Sequence, residues 1–540
     1  MLTQDGRMPS EVEHTVDRDE ESQFEPKANA GTTLTAINST STNTQTENEK
    51  PATTTTSADP NVVFWDGSED PENPMNWSPK LKTINVVLVS TWTLLTPLAS
   101  SMVAPGTLDI LTDFNSTNIT LGSFIVSIYI LGYAVGPLVI APMSELYGRL
   151  PVYHICNILF VVWSLACAFA PNLGALLAFR FLQGAVGVCA LTIGSGTISD
   201  LIPTEQRGKF MSVYSIGPLL GPGKQHRPLI RCTTNSLPVI GPIGGAYLVQ
   251  AEGWRWVFRV LTIASGLMTL GTILTMRESY APVVLRRKVQ RLKKETGNDK
   301  LRSKLDSGLP PREIFLRAIV RPTKMLLFSP IVFLLSLYMA IVYGYLYLLF
   351  TTITGLFEQS YGFSQGSAGL AFLGIGIGMM LGLVIFGATS DKVVTYLANK
   401  NGGERKPEYR FPHMMIGAAM IPIGLFWYGW SAEYRIHYVM PIIGTGIVGC
   451  GLLATFMPVG TYLVDAFTIY AASAMAANTV LRSLMGAFLP LAGPEMYRSL
   501  GLGWGNSLLA FIAIALWPVS WLFFKYGERI RTSKRFRIEF

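Results

Sequence analysis

The sequence predicts an all-α polytopic membrane protein of twelve transmembrane helices in two six-helix halves, and three observations carry that prediction. The chain has 540 residues, 49% of them hydrophobic and only 14% charged, whereas soluble domains carry roughly a quarter charged residues. Apolar runs long enough to cross a bilayer, about 20 residues each, recur from Ile84 to Phe524. Lys and Arg concentrate in alternate connections between these runs, and a long basic stretch, 277–325, divides the runs six and six.

In chain order, residues 1–78 are rich in Ser, Thr, Asn and acidic residues, so a disordered tail is expected. They hold no apolar h-region, so no cleaved signal peptide is expected, and the first span would direct insertion. The first half, 79–276, contains runs near 84–104, 121–143, 153–171, 174–197, 210–250 and 257–276. The second half, 326–525, contains runs near 326–350, 366–388, 412–430, 438–462, 471–492 and 503–524, and a basic tail follows at 526–540.

The fifth run is abnormal. Residues 223–238, GKQHRPLIRCTTNSLP, place Lys224, His226, Arg227, Arg231 and two prolines inside it. Each central Lys or Arg costs about 2.5–3.5 kcal/mol on insertion scales. Gly223-Lys224 can be encoded with a splice-donor-like string, Thr234-Asn235 with a branch-site-like one, and Pro238-Val239 with an acceptor-like one. Excision between them restores Gly-Pro-Val-Ile in frame, so the segment reads as an unspliced intron. The alternative is a genuine insertion that breaks the helix.

With the N-terminus inside, the inner connections carry Arg149, Arg207, Lys209, the 277–325 loop, Lys392, Lys400, Arg405, Lys406, Arg410 and the basic tail. The outer ones carry only Arg255, Arg435 and Arg498. That asymmetry places both termini in the cytoplasm. It also explains the net charge of +8 without nucleic acid. Two acceptor sequons, at Asn115 and Asn118, fall in the first outer connection and fit a glycoprotein. The five cysteines show no metal-ligand or disulfide spacing. No cofactor is expected, no Walker A motif supports ATP hydrolysis, and no catalytic constellation points to an enzyme. No address signal separates the cell membrane, which is expected, from a vacuolar one.

Several motifs carry a family resemblance. APMSELYGRLPVY at 141–153 follows the second run, with Glu145, Gly148 and Arg149 in a carboxylate–turn–cation pattern. It resembles the loop motif of the major facilitator superfamily, with Ala141 and Leu150 as departures. A carboxylate at a helix end that pairs with a cation in one state and releases it in another acts as a latch; a plain turn is the alternative. Asp391, in GATSDK after the eighth run, resembles the second-half copy. Arg180, with Gln183 and Gly184, lies within the fourth run and resembles a family motif that puts Arg180 near proton or substrate traffic. The alternative is an arginine that snorkels to the interface. Joined across the anomaly, the fifth run reads SIGPLLGPVIGPIGGAYL. Its Gly217, Pro218, Gly221, Pro222, Gly241, Pro242, Gly244 and Gly245 resemble the motif of drug:proton antiporters. Together with NPMNWSPKLK at 73–82 and the 470–510 segment, the chain is similar to fungal twelve-spanner drug:proton antiporters, including the polyamine-exporter branch, over about residues 73–530.

Two pairs of residues are candidates for a cavity between the halves. Tyr343 and Tyr347 lie one turn apart and are placed to stack on a cationic or aromatic solute, or to pack as an aromatic stripe. Asn478 and Arg482 share a face of the eleventh run, as a cavity wall or as partners for Glu145. For proton coupling, the candidate carboxylates are Asp109, Glu145, Asp391, Asp465 and Glu495, none singled out. The expected function is proton-coupled antiport of small organic compounds (drugs, polyamines or secondary metabolites) by a monomer. A nutrient importer and a non-transporting receptor-like homologue are the competing readings.

Overall fold

The computed structural model describes residues 61–67, 69–203, 237–305, 308, 310–467 and 470–532. Apart from two-residue strands, these residues are helices and short connections. Ten helical stretches are long and apolar enough to cross a membrane. The first half contributes α1 (Pro79–Ser101), α2 (Ile119–Tyr147), α3 (Arg149–Ala168), α4 (Leu173–Leu201) and α6 (Trp254–Thr275), with α5 (Leu237–Glu252) between the last two. The second half contributes α7 (Pro330–Tyr361), α8 (Gln365–Lys400), α9 (Phe411–Glu433) and α10 (Val439–Phe467). The last stretch, Ala471–Thr532, breaks at Gly501, where φ is 73° and ψ 174°, into α11 and α12. Only the fifth of the twelve expected spans is incomplete, because 204–236 lie outside the described residues. Gly217, Pro218, Gly221, Pro222 and Cys232 fall there, as does the insert except Leu237 and Pro238, which begin α5.

The outward faces identify the solvent. On α3, Ile155, Ile158, Val162 and Leu165 form a stripe at helical spacing; Ile263, Leu267, Leu270 and Leu274 do the same on α6. These side chains are 46–73% exposed. In water such stripes would make an apolar patch far beyond what soluble proteins tolerate, so lipid is their medium. Many hydroxyls within the spans bond to their own helix, as Thr269 and Thr272 do to the carbonyls of Ser265 and Met268, both at 2.7 Å.

Helices approach closely where glycine removes a side chain. A Cβ on Gly184 would overlap the Tyr129 carbonyl, so α2 and α4 meet backbone to backbone. Gly245 does the same against the Met102 carbonyl and Gly241 against Ser101, which seats α5 on the end of α1. Gly244 faces open space.

Residues 61–67 and 69–78 of the expected tail are described; the rest of 1–78 lies outside the described residues. Residues 61–77 pack against the basic loop, where β1 (Val62–Val63) pairs in parallel with β2 (Arg302–Ser303). Lys288, on the loop helix Ala281–Thr296 and only 4% exposed, bonds Asp70 at 2.9 Å and Asp66 at 2.8 Å. Glu72 meets Arg291 at 2.8 Å. Composition hides this, because a few placed carboxylates rather than apolar area hold the strap.

The strap has a pH signature. Burial alone would raise the Asp70 carboxyl, but hydrogen bonds from Asp66 N–H, Lys288 and Glu72 N–H outweigh it and hold it below the ordinary aspartate range. Burial alone would lower Lys288, but Asp66 and Asp70 outweigh it and hold it above the ordinary lysine range. The Asp70 contribution is therefore present above its unfolded pKa and lost as pH falls through the folded one; the Lys288 contribution is lost only as pH rises through its raised value. Protection of the 61–77 amides against hydrogen exchange, corrected for the intrinsic rate at each pH, is expected to hold from about pH 5 to about pH 9 and to fall below about pH 4. Asp70→Asn should remove the acid step.

Candidate functional site

The site begins at a break in α1. Pro97 lies in its last turn, the helix ends at Ser101, and a short 3-10 turn, Ala104–Gly106, leads into the helix Thr107–Asp113. A helix end leaves carbonyls without intrahelical donors. Arg180 supplies donors: Nη1 to the Ala99 carbonyl at 3.1 Å, Nη2 to the Ser100 carbonyl at 3.4 Å and Nε to the Ile125 carbonyl of α2 at 3.3 Å. Nη1 also donates to Gln183 Oε1 at 3.0 Å, and Gln183 Nε2 donates to Ser164 Oγ at 2.7 Å. The guanidinium lies 4.6 Å from the Tyr129 ring centroid. Arg180 is fully buried and stands behind the cavity wall as a clamp on α1, α2 and α4, held by neutral dipoles.

In front of that wall is a cavity of about 90 Å³ between the two halves. The first half gives Pro97, Ser101 and Tyr133; the second gives Tyr343, Tyr347 and Arg482. Tyr343 and Tyr347 have ring centroids 5.0 Å apart, and Tyr343 also meets Phe456 at 6.0 Å. Tyr347 Oη and Ser100 Oγ share a hydrogen bond of 3.1 Å across the halves. Such a volume holds several waters but no drug-sized solute, which needs about 300 Å³ or more. Substrate entry therefore requires the halves to part.

On the face that carries the basic loop, Gly148 joins α2 to α3 at φ 100° and ψ 171°, a conformation essentially restricted to glycine. The Glu278 carboxylate accepts from Arg149 N and Leu150 N at 2.9 and 3.1 Å and caps α3 from a distance. A Cβ on Gly148 would overlap Glu278. Gly148→Ala is expected to cost roughly 1–3 kcal/mol, read as a lower thermal unfolding temperature in detergent.

The Arg149 side chain bonds Asp200 at the end of α4, at 3.1 Å, and Ser144 Oγ at 2.7 Å. The second half repeats the arrangement. Arg410, before α9, bonds Asp465 of α10 at 2.8 Å and approaches Asp391 of α8 at 4.0 Å. These pairs knit three helix ends within each half. Glu145 is exposed and faces Arg149 and Arg321, and it forms no ion pair with Arg482.

On the opposite face the halves touch. Gln365 Nε2 donates to Asp109 Oδ2 at 2.8 Å and to the Pro105 carbonyl at 3.1 Å. Gly366 N donates to Gln250 Oε1 at 2.8 Å. Asn115 is exposed, and Asn118 caps α2 by accepting from Thr120 N at 3.0 Å. Glu495 bonds Arg498 on its own helix at 2.9 Å.

The structure thus gathers Tyr343, Tyr347 and Arg482 in one cavity, with Asn478 buried one turn from Arg482. Glu145, Gly148 and Arg149 cluster at the basic face, and Asp391 stands at the matching place in the other half. Sequence reasoning missed Asp200 and Glu278. Their signals were SDLIP directly after the fourth run and RESYAP directly after the sixth.

Most of the chain matches a known family model. The model of the Major Facilitator Superfamily covers residues 89–490. The chain belongs to the major facilitator superfamily. The MFS-type transporter penM of Penicillium rubens is 58% identical over 482 residues, covering 89% of this chain and 92% of penM. The efflux pump radE of Floropilus chiversii is 50% identical, covering 89% of this chain and 87% of radE. In fold, this facilitator is similar to the xylose transporter XylE from E. coli in a partially occluded inward-open conformation. The TM-score is 0.59 at 16% identity, covering 83% of this chain and 98% of XylE. The protein is a multi-pass membrane transporter of small molecules, not an enzyme.

Proposed function

We propose that this facilitator is a proton-coupled antiporter that exports small organic compounds by alternating access. It works as a monomer in the cell membrane, with both termini cytoplasmic. The observation that supports this most directly is the cavity walled by both halves, which also meet on the far face through Gln365 with Asp109 and Gly366 with Gln250. A transporter whose halves rock about such a site exposes it to one side at a time. The similarity to radE, named an efflux pump, favours export.

Coupling needs a carboxylate that senses the outer side. Of the five candidates, Asp109 is the one whose hydrogen bond crosses the halves. The proton gradient is the energy source, and no cofactor enters the cycle.

The same reading requires a whole fifth span, so the message should lack the codons for 223–238. Sequencing it across codons 217–245 checks this; their presence in mature message would make the insert genuine. For transport itself, the spliced form is overexpressed and efflux is measured with and without a protonophore. Efflux that collapses with the gradient supports antiport, and protonophore-insensitive efflux excludes it.

A further inference from the structure

We infer that the central cavity binds amphipathic organic anions: a carboxylate, enolate or phenolate carried on a flat apolar body. The inference rests on the transport reading for its cellular role, and on Arg482 for its chemistry. Among the described residues that line the cavity, Arg482 is charged and no Asp or Glu is present.

The other arginines of the interior and the basic-face networks have partners. Arg180 is bonded by three carbonyls and Gln183; Arg149 and Arg410 meet carboxylates. Arg482 makes no hydrogen bond or ion pair among the described residues, and its Nε is buried with no acceptor. Its guanidinium is instead held 5.2 Å from the Tyr343 centroid and 5.3 Å from that of Phe456. One turn away, the buried Asn478 Oδ1 also lacks a donor. A partly buried cation within a span and without a counter-ion is costly, and its free fork of N–H donors suits a planar anion. The anion of the solute fills that role.

The remaining wall suits the rest of such a molecule. Tyr343, Tyr347 and Phe350 offer ring faces and edges, and Leu452 and Met379 offer apolar contact. A polyamine would bring several positive charges to a site that already holds one and has no lining carboxylate. The geometry therefore disfavours the polycations that the family resemblance suggests.

The test uses the full-length protein in detergent and in proteoliposomes, with three probes of one shape: 2-naphthoate, its methyl ester and 2-naphthylmethylamine. Equilibrium binding and thermal stabilisation are measured for the wild type, Arg482→Gln and Arg482→Lys. The acid is expected to bind at least about tenfold tighter than ester or amine. Arg482→Gln should lose that preference while leaving ester binding within about twofold, and Arg482→Lys should keep part of it. Equal binding of acid and ester, preference for the amine, or an acid preference that survives Arg482→Gln would overturn the inference. Should Arg482→Gln not fold, the wild-type ranking of the three probes and Arg482→Lys decide. Selective, Arg482-dependent acid binding without proton-driven movement across the vesicle would uphold the anion site and remove the antiport reading.

Discussion

Replacing Arg180 by methionine is expected to remove most of the folded protein. The side chain is similar in length and apolar, so a merely awkward charge would be improved by the change. Here the charge is engaged. Its loss leaves the carbonyls of Ala99 and Ser100 without their donor and Gln183 Oε1 without a partner, and removes the bond that ties Ile125 of α2 to them, all inside the membrane. Each buried acceptor left unsatisfied typically costs about 1–3 kcal/mol, so together they are comparable to much of a domain's net stability. Arg180→Lys should fare little better, because one ammonium cannot reach two helices in a fork. The readout is the monodisperse fraction after extraction and the unfolding temperature of what remains. Normal yield with lost transport would instead make Arg180 a transport residue.

The second large effect is a reversible block. Gly366 and Gln250 meet across the halves on the far face, and a Cβ at 366 would touch the Gln250 side chain. Cysteines at 250 and 366, joined by oxidation or a short bifunctional thiol reagent, should hold that face closed. Transport is expected to fall to background and to recover on reduction. The native Cys156, Cys167, Cys189 and Cys450 are buried, so the parent protein is the control. Undiminished transport by the linked protein would show that this face does not part.

Much of the fold was legible because lipid imposes a simple grammar. Spans need length and low charge, and the Lys and Arg pattern orders the loops. The half-and-half division followed from the 277–325 stretch. The cavity pair Tyr343 and Tyr347 was legible as a turn-spaced face, and Arg482 as a costly charge.

Partners at long range were not legible. Arg180 was conspicuous, but two of its acceptors are main-chain carbonyls exposed by the break after Ser101, which the sequence marks only by Pro97 and Pro105. Arg149 reaches Asp200 and Glu278 over 51 and 129 residues. Carboxylates just outside apolar runs look like solvated caps until the helix ends are brought together. The strap at 61–77 was hidden for the same reason: Asp70 sits in a polar stretch and gains its meaning from Lys288.

The most direct test of the account measures both faces at once. Spin-label pairs are placed at exposed positions, Thr117 with His437 on the far face and Tyr147 with Asn401 on the basic face. Distances are then compared in proteoliposomes at about pH 5 and about pH 8, with and without 2-naphthoate. Rocking of two rigid halves about the Arg482 cavity predicts opposite changes, one pair lengthening as the other shortens. Changes of the same sign, or none at either face, would contradict it.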